Sequence, residues 1–190
     1  MRRALLVLAG LGGLAAACSS SPPTRFFTLS AVPGSAAGYA GPAIKVADIQ
    51  VPPSMDRLEL VRQNAANELS IDDFAHWAAP LGDLARTALT QDLAARLPAG
   101  RVVYPDVAEP DGTLHLSVDL LAFTCAPERA SLEASWTLAV RSKPAGPPRQ
   151  LRLAGSCGAD GPSEAAALSA LLGQLADAVA TDIAAGRGPR

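Results

Sequence analysis

Histidine occurs only at His76 and His115, and lysine only at Lys45 and Lys143, in a chain of 190 residues. Neither histidine stands at a metal-ligand spacing from Cys, Asp or Glu, so zinc chemistry and histidine-based proton transfer lack their usual residues. His115 falls on the solvent side of a strand pattern and His76 within an aromatic segment, both structural or surface positions. A glycine-rich phosphate loop and a Gly-x-Ser-x-Gly nucleophile elbow are also missing. The 16 Lys and Arg residues form no cluster and are outnumbered by 18 Asp and Glu. That balance leaves no electrostatic footprint for a phosphate backbone and argues against nucleic acid. Asp72-Asp73 reads as a helix cap or a solvated corner, because carboxylates paired for acid–base work need a cleft and perturbed acidities. These absences point away from catalysis, metals and cofactors, and no internal repeat is visible.

What is present begins at the first residue. Arg2 and Arg3 precede an uncharged run of Ala, Leu, Val and Gly from Ala4 to Ala17, which reads as a signal peptide. Its 14 residues rise about 1.5 Å each in a helix and reach roughly 21 Å, short of the ~30 Å hydrocarbon core of a bilayer. Residues 1–17 are therefore expected to be removed, not to span. Leu14-Ala15-Ala16-Ala17-Cys18 resembles a bacterial lipobox, departing from it at Ala15, where Leu or Val is preferred. The resemblance implies that the Cys18 thiol receives a diacylglycerol and becomes the mature N-terminus. The other reading is an ordinary secretory signal with Cys18 left as a free thiol. Each buried CH₂ is worth about 0.8 kcal/mol and two or more acyl chains hold stably, so a lipidated Cys18 means permanent membrane attachment. Ser19 after the cysteine resembles outer-membrane sorting, which places the chain on the periplasmic face of that membrane. Ser19 to Pro42 then reads as a flexible tether rich in Ser, Pro, Gly and Ala, interrupted by Phe26-Phe27-Thr28-Leu29. Phe26 and Leu29 are expected to dock on the domain, with Pro33 to Pro42 left as a loop.

Removal of the leader takes two arginines with it and leaves the mature chain near −4 from a formal −2. The remainder is long enough for one domain and too short for two. Residues 43–186 are read as that domain and 187–190 as a tail. Cys125 and Cys157 remain in a compartment that permits disulfides. They lie near the ends of two candidate strands. A third strand between them would hold the backbones roughly 9 to 10 Å apart, beyond the ~4.4–6.8 Å window of a bridge, unless strand ends or loops bend inward. A bridge, two buried thiols and a metal or catalytic thiol all remain open.

Along the domain, Ile44, Val46, Ile49 and Val51 alternate with a change of phase near Ala47-Asp48, the mark of a bulge or of a strand buried on both faces. Leu58 to Val61 and Glu68 to Ile71 flank Arg62 to Asn67 and read as a hairpin whose apolar partners are Leu58, Leu60, Leu69 and Ile71. Phe74 and Trp77 lead toward a helix opened by Pro80. Leu84, Ala85, Ala88, Leu89, Leu93 and Leu97 give that helix an apolar face, with Asp83, Arg86, Thr87, Thr90, Gln91 and Arg96 opposite. Arg101 to Tyr104 is a short strand. Leu114 to Ala122 and Leu132 to Val140 alternate strictly, with His115 and Phe123 assigned outward, and Leu151 and Leu153 continue on a third strand. Ser163 caps a second helix striped by Leu168, Leu171, Leu172, Leu175, Val179 and Ile183. The expected fold is α+β: a largely antiparallel sheet with two amphipathic helices packed on one face.

The segments Val51-Pro52-Pro53-Ser54-Met55-Asp56-Arg57, Asn64-Ala65-Ala66-Asn67, Phe74 to Leu81 and Ala134-Ser135-Trp136 resemble the ABC-type transport auxiliary lipoprotein family, to which the PqiC/YmbA-like lipoproteins belong. The resemblance covers most of the mature chain. It implies a non-enzymatic accessory of an intermembrane lipid-transport system, paired with a periplasmic MCE-domain protein and inner-membrane ABC components, in some members as a ring of copies. Asn64, Asn67, Phe74 and Trp77 are the candidate partner contacts. The competing reading is a shuttle that carries a lipid between helices and sheet.

Overall fold

The computed structural model describes residues 21–185, so Cys18 and the signal peptide lie outside the described residues. In chain order the elements are β1 (Arg25–Phe27), β2 (Ile44–Gln50), β3 (Glu59–Ala65), β4 (Glu68–Trp77), α1 (Leu81–Arg96), β5 (Val102–Val103), β6 (Leu114–Ala126), β7 (Arg129–Val140), β8 (Lys143–Pro144), β9 (Arg149–Gly155) and α2 (Gly161–Ala184).

The two longest strands carry the strictest alternation. Leu114, Leu116, Val118 and Leu120 of β6 are buried, as are Ala130, Leu132, Ala134, Trp136 and Leu138 of β7, because successive side chains in a strand point to opposite faces. The phase in β6 does not persist past Leu120. A register shift between Leu120 and Ala122 leaves Leu121 58% exposed and turns Phe123 inward to 1%, together with Cys125. A single extra residue reverses every later side chain, so the outward assignment of Phe123 is corrected. The phase change in β2 is likewise a bulge, between Val46 and Asp48.

The fold is α+β with a mixed sheet, not a largely antiparallel one. β2 and β3 lie end to end on one edge of β6, both parallel to it, and β1 pairs β4 in parallel. The β3–β4, β6–β7, β7–β8 and β7–β9 pairs are antiparallel. Between β2 and β6 the chain runs through the hairpin, α1 and β5, and a return by way of a helix brings the next strand back in the same direction. Alternation in β2 betrays its buried face but carries no information about direction.

Two expectations about the hairpin region change. Strand β3 continues through Arg62 to Ala65, so the turn is the tight Ala66-Asn67 pair, and Phe74 to Trp77 extends β4 instead of entering the helix. Of its supposed apolar partners only Leu60 is buried, while Leu58, Leu69 and Ile71 are exposed. Pro80 occupies the N-cap of α1. At α2 the cap is Asp160 and not Ser163: the Asp160 carboxylate accepts from the Ser163 N–H at 2.9 Å, with Pro162 in the first turn. The helices pack on one another, α1 also against β2 and β5, and α2 against β6, β7 and β9. Helix α2 is long and apolar enough to cross a membrane, yet Leu168, Leu171, Leu172, Leu175 and Val179 are spent in the core.

Candidate interaction surface

The leader is the first surprise. Residues between β1 and β2 read as a loose tether, because Pro, Gly, Ser and Ala dominate them, yet they lie strapped across both helices. The Ser30 N–H donates to Ser169 Oγ at 3.1 Å on α2, and the Val32 N–H to Asp92 Oδ1 at 2.7 Å on α1. The Ala37 N–H reaches the Arg96 carbonyl at 2.7 Å, and Tyr39 is buried with its hydroxyl on the Pro42 carbonyl at 2.7 Å. Arg96 holds the assembly. Its guanidinium donates to Asp177 (2.6 Å), to the Val32 carbonyl (3.0 Å) and to the Asp92 carbonyl (3.0 Å). Asp92 is buried with its Oδ2 unpartnered. Burial pushes its pKa up, opposed by the Val32 N–H and Arg96, while Asp177 adds to the rise.

Arg96 and Thr90 are therefore core-facing, not on the solvent face assigned to them. The spacing held the signal: Ala85, Ala88, Leu89, Asp92, Leu93 and Arg96 fall on one 3.6-residue stripe. A charge on such a stripe reads as a surface group until its partner on another element is known. Asp177, on α2, is that partner.

The second feature is the hairpin and the corner beside it. Arg62 on β3 donates through Nε to Glu164 Oε2 at 2.8 Å and through a second nitrogen to the Ala159 carbonyl, tying the hairpin to the start of α2. Glu164 is 1% exposed. Burial raises its pKa to about 7, with Arg62 opposing and Asp72 adding to the rise. Two open cavities flank Arg62. One of about 470 Å³ is lined by Pro22, Pro23, Arg25, Ile71 and Phe74 among others. The other, about 580 Å³, lies beside Asn64, Cys125, Pro127 and Cys157. No group of His, Cys, Asp and Glu suited to a metal ion occurs among the described residues.

Of the candidate contacts, Asn64 and Asn67 stand exposed at the hairpin tip and Phe74 is 40% exposed, but Trp77 is a core residue at 3%. The corner thus offers Phe74 without Trp77, because β4 continues and its pleat turns Trp77 inward. Asp72-Asp73 lies within β4, not at a helix cap, although the Asp72 carboxylate does accept from the Phe74 N–H at 2.9 Å. Phe26, expected to dock, is 66% exposed with its ring edge-on to His76, and Leu29 and the half-buried Phe27 do the docking.

Cys125 and Cys157 are joined in a disulfide with Cα atoms 6.1 Å apart. The intervening strand does not hold them apart. Cys157 lies past the end of β9, where the chain crosses the β6–β7 turn and the Cys157 N–H reaches the Glu128 carbonyl at 3.3 Å.

The described residues form an α+β domain with a strapped leader, an exposed hairpin tip and exposed apolar side chains at its rim. A model of the ABC-type transport auxiliary lipoprotein component family matches residues 27–180, and the chain belongs to that family. A search of curated proteins returned no match. Among solved structures, an uncharacterized protein aligns with a TM-score of 0.68 at 18% identity, over 85% of this chain and 99% of its own. A Xanthomonas campestris protein of the DUF330 family aligns with a TM-score of 0.66 at 18% identity, over 87% and 98%. At these identities what is shared is the fold.

Proposed function

We propose that the protein is a non-enzymatic adaptor of an MCE-linked intermembrane lipid-transport system, fixed by a lipidated Cys18 to the periplasmic face of the outer membrane. Its exposed hairpin tip, with Asn64 and Asn67, docks the periplasmic MCE-domain protein that leads to the inner-membrane ABC components, and several copies can share one partner as a ring. The observation that carries this reading is the family match over residues 27–180, whose description couples a lipoprotein to ABC-type transport. The shuttle reading is less well supported. Leu89, Leu93, Leu171, Leu172 and Leu175 fill the space between helices and sheet, each no more than 1% exposed, and close-packed interiors leave no room there for an acyl chain.

The test is affinity capture of the tagged full-length protein from detergent-solubilised membranes of the native host. The wild type is expected to recover an MCE-domain protein, and the double substitution Asn64→Lys/Asn67→Lys to lose it while the protein remains folded. Recovery of no MCE-domain protein by the wild type overturns the proposal. Mass spectrometry of the purified protein with near one phospholipid per chain would favour the shuttle instead.

A further inference from the structure

We infer that the face from which the leader departs rests on the lipid bilayer itself, with Phe26, Ile71 and Phe74 seated in the headgroup zone. The inference rests on the proposed lipidation of Cys18, and goes beyond it by assigning the surface that meets the membrane.

The low-complexity leader suggests some 25 residues of slack between anchor and domain, but β1 is paired with β4 and residues 30–37 are bonded to both helices. Pro22 and Pro23 already line the cleft that they share with Arg25, Ile71 and Phe74. Cys18 lies four residues before Pro22, and four residues reach at most about 14 Å when fully extended. The headgroup zone adds roughly 5–7 Å outside each side of the hydrocarbon core. An acylated Cys18 therefore holds the rim of this cleft against the bilayer surface, and no other face of the domain is so constrained.

The side chains at that rim suit the location. Phe26 is 66% exposed, Ile71 45% and Phe74 40%, and aromatic residues are favoured where apolar and polar phases meet. Arg25 supplies a cation beside them for lipid phosphates, while Arg62 is held by Glu164 and the Ala159 carbonyl. Asp72, Asp73 and Asp160 lie there as well, so general attraction to anionic lipid does not drive the contact; apolar insertion does. Detached from its anchor the patch is too small to hold a membrane. With the anchor in place the encounter is local, and a short flexible link raises the effective concentration enough to populate a weak contact. The hairpin tip at Asn67 is seven positions from Phe74 along β4, about 20 Å at strand rise, so the docking of a protein partner and contact with lipid use separate surfaces.

The test uses the full-length acylated protein in vesicles of phosphatidylethanolamine and phosphatidylglycerol. A nitroxide is placed at Asp73→Cys beside Phe74, with a control at Arg141→Cys in the β7–β8 turn, at the far end of β6. On vesicles the label at 73 is expected to become severalfold more accessible to dissolved oxygen, relative to a water-soluble nickel chelate, with the label at 141 unchanged. Phe26→Ser/Phe74→Ser is expected to abolish the shift while mass spectrometry still finds Cys18 acylated. If the acylated, vesicle-bound protein keeps the label at 73 fully aqueous, bilayer contact is overturned and the anchor stands. Shielding that appears only when an MCE-domain protein or a second copy is added also overturns it and assigns the patch to protein. Absence of acyl mass at Cys18 overturns both the anchor and this inference.

Discussion

Arg96 of α1 and Asp177 of α2 are joined by a 2.6 Å Nε–Oδ1 bond, the arginine side chain 1% exposed and the aspartate 52%. One end of the pair is in the core and the other is wet. The arginine is what joins the two helices to the strap, since the same guanidinium also holds the Val32 carbonyl.

Truncation of Arg96 leaves Asp92 buried beside an empty site, and removing one member of a buried ion pair costs about 3–5 kcal/mol. Arg96→Met is expected to lower the urea midpoint by a corresponding amount and to open residues 30–37 to limited proteolysis. Arg96→Lys does not rescue it, because an ammonium cannot serve Asp177 and two carbonyls from one planar fork. An unchanged midpoint would show that the network contributes nothing net.

Gly34 lies against the same guanidinium, and a β-carbon there would overlap it. Because Asp177 and Asp92 pin Arg96, the strap must move instead. Gly34→Ala is expected to destabilise by about 1–3 kcal/mol, as overpacking does, and to raise the cleavage rate within the strap with the helices left intact by circular dichroism.

Glu164 titrates near pH 7 in the folded protein against an ordinary value of 4.5. A folded-state value raised above the unfolded one means that the native protein holds its proton more tightly. The associated stability is complete below about 4.5 and is lost as pH rises through about 7. At 1.36 kcal/mol per pH unit the loss amounts to about 3 kcal/mol. Asp92, also raised by burial, acts in the same direction. Urea midpoints at pH 5 and pH 8 are expected to converge in Glu164→Gln, while the wild type is less stable at the higher pH. Parallel pH dependence in the two proteins would refute the assignment.

The Cys125–Cys157 bridge closes a separation of 32 residues, which by chain entropy amounts to roughly 3–4 kcal/mol. The oxidised protein, denatured without reductant, is expected to take up no alkylating agent at either position, and reductant or Cys157→Ala to lower the urea midpoint by that energy. Two alkylated thiols in the unreduced chain would exclude the bridge.

Cys18→Ser is expected to move the protein from the membrane to the soluble fraction and to abolish incorporation of labelled palmitate, since the anchor's affinity comes from its buried acyl methylenes. A variant that still sediments with membranes would exclude lipidation as the means of attachment.

How much of this was legible in advance differs by residue. Leu114 to Leu120, Leu132 to Leu138 and the α2 leucines declared their buried faces, since periodicity is a local property written one residue at a time. The inward turn of Phe123 is not legible in the sequence, because the bulge at Leu121 carries no strong mark in residue type. The burial of Trp77 is not legible either, because aromatic spacing cannot tell a continued strand from a helix entry. Glu164 and Arg62, 102 residues apart, could not be paired by any local pattern.

The sequence by itself determined the α+β composition and the apolar stripes of both helices, which follow from composition and short-range period. The direction of β2 against β6, the strap of residues 30–37 on Arg96 and the pairing of Arg62 with Glu164 were decided only in three dimensions. Each depends on polar groups far apart in the chain finding one another, and such pairings are enforced by the cost of burying an unpaired charge or amide, not by anything a local stretch displays.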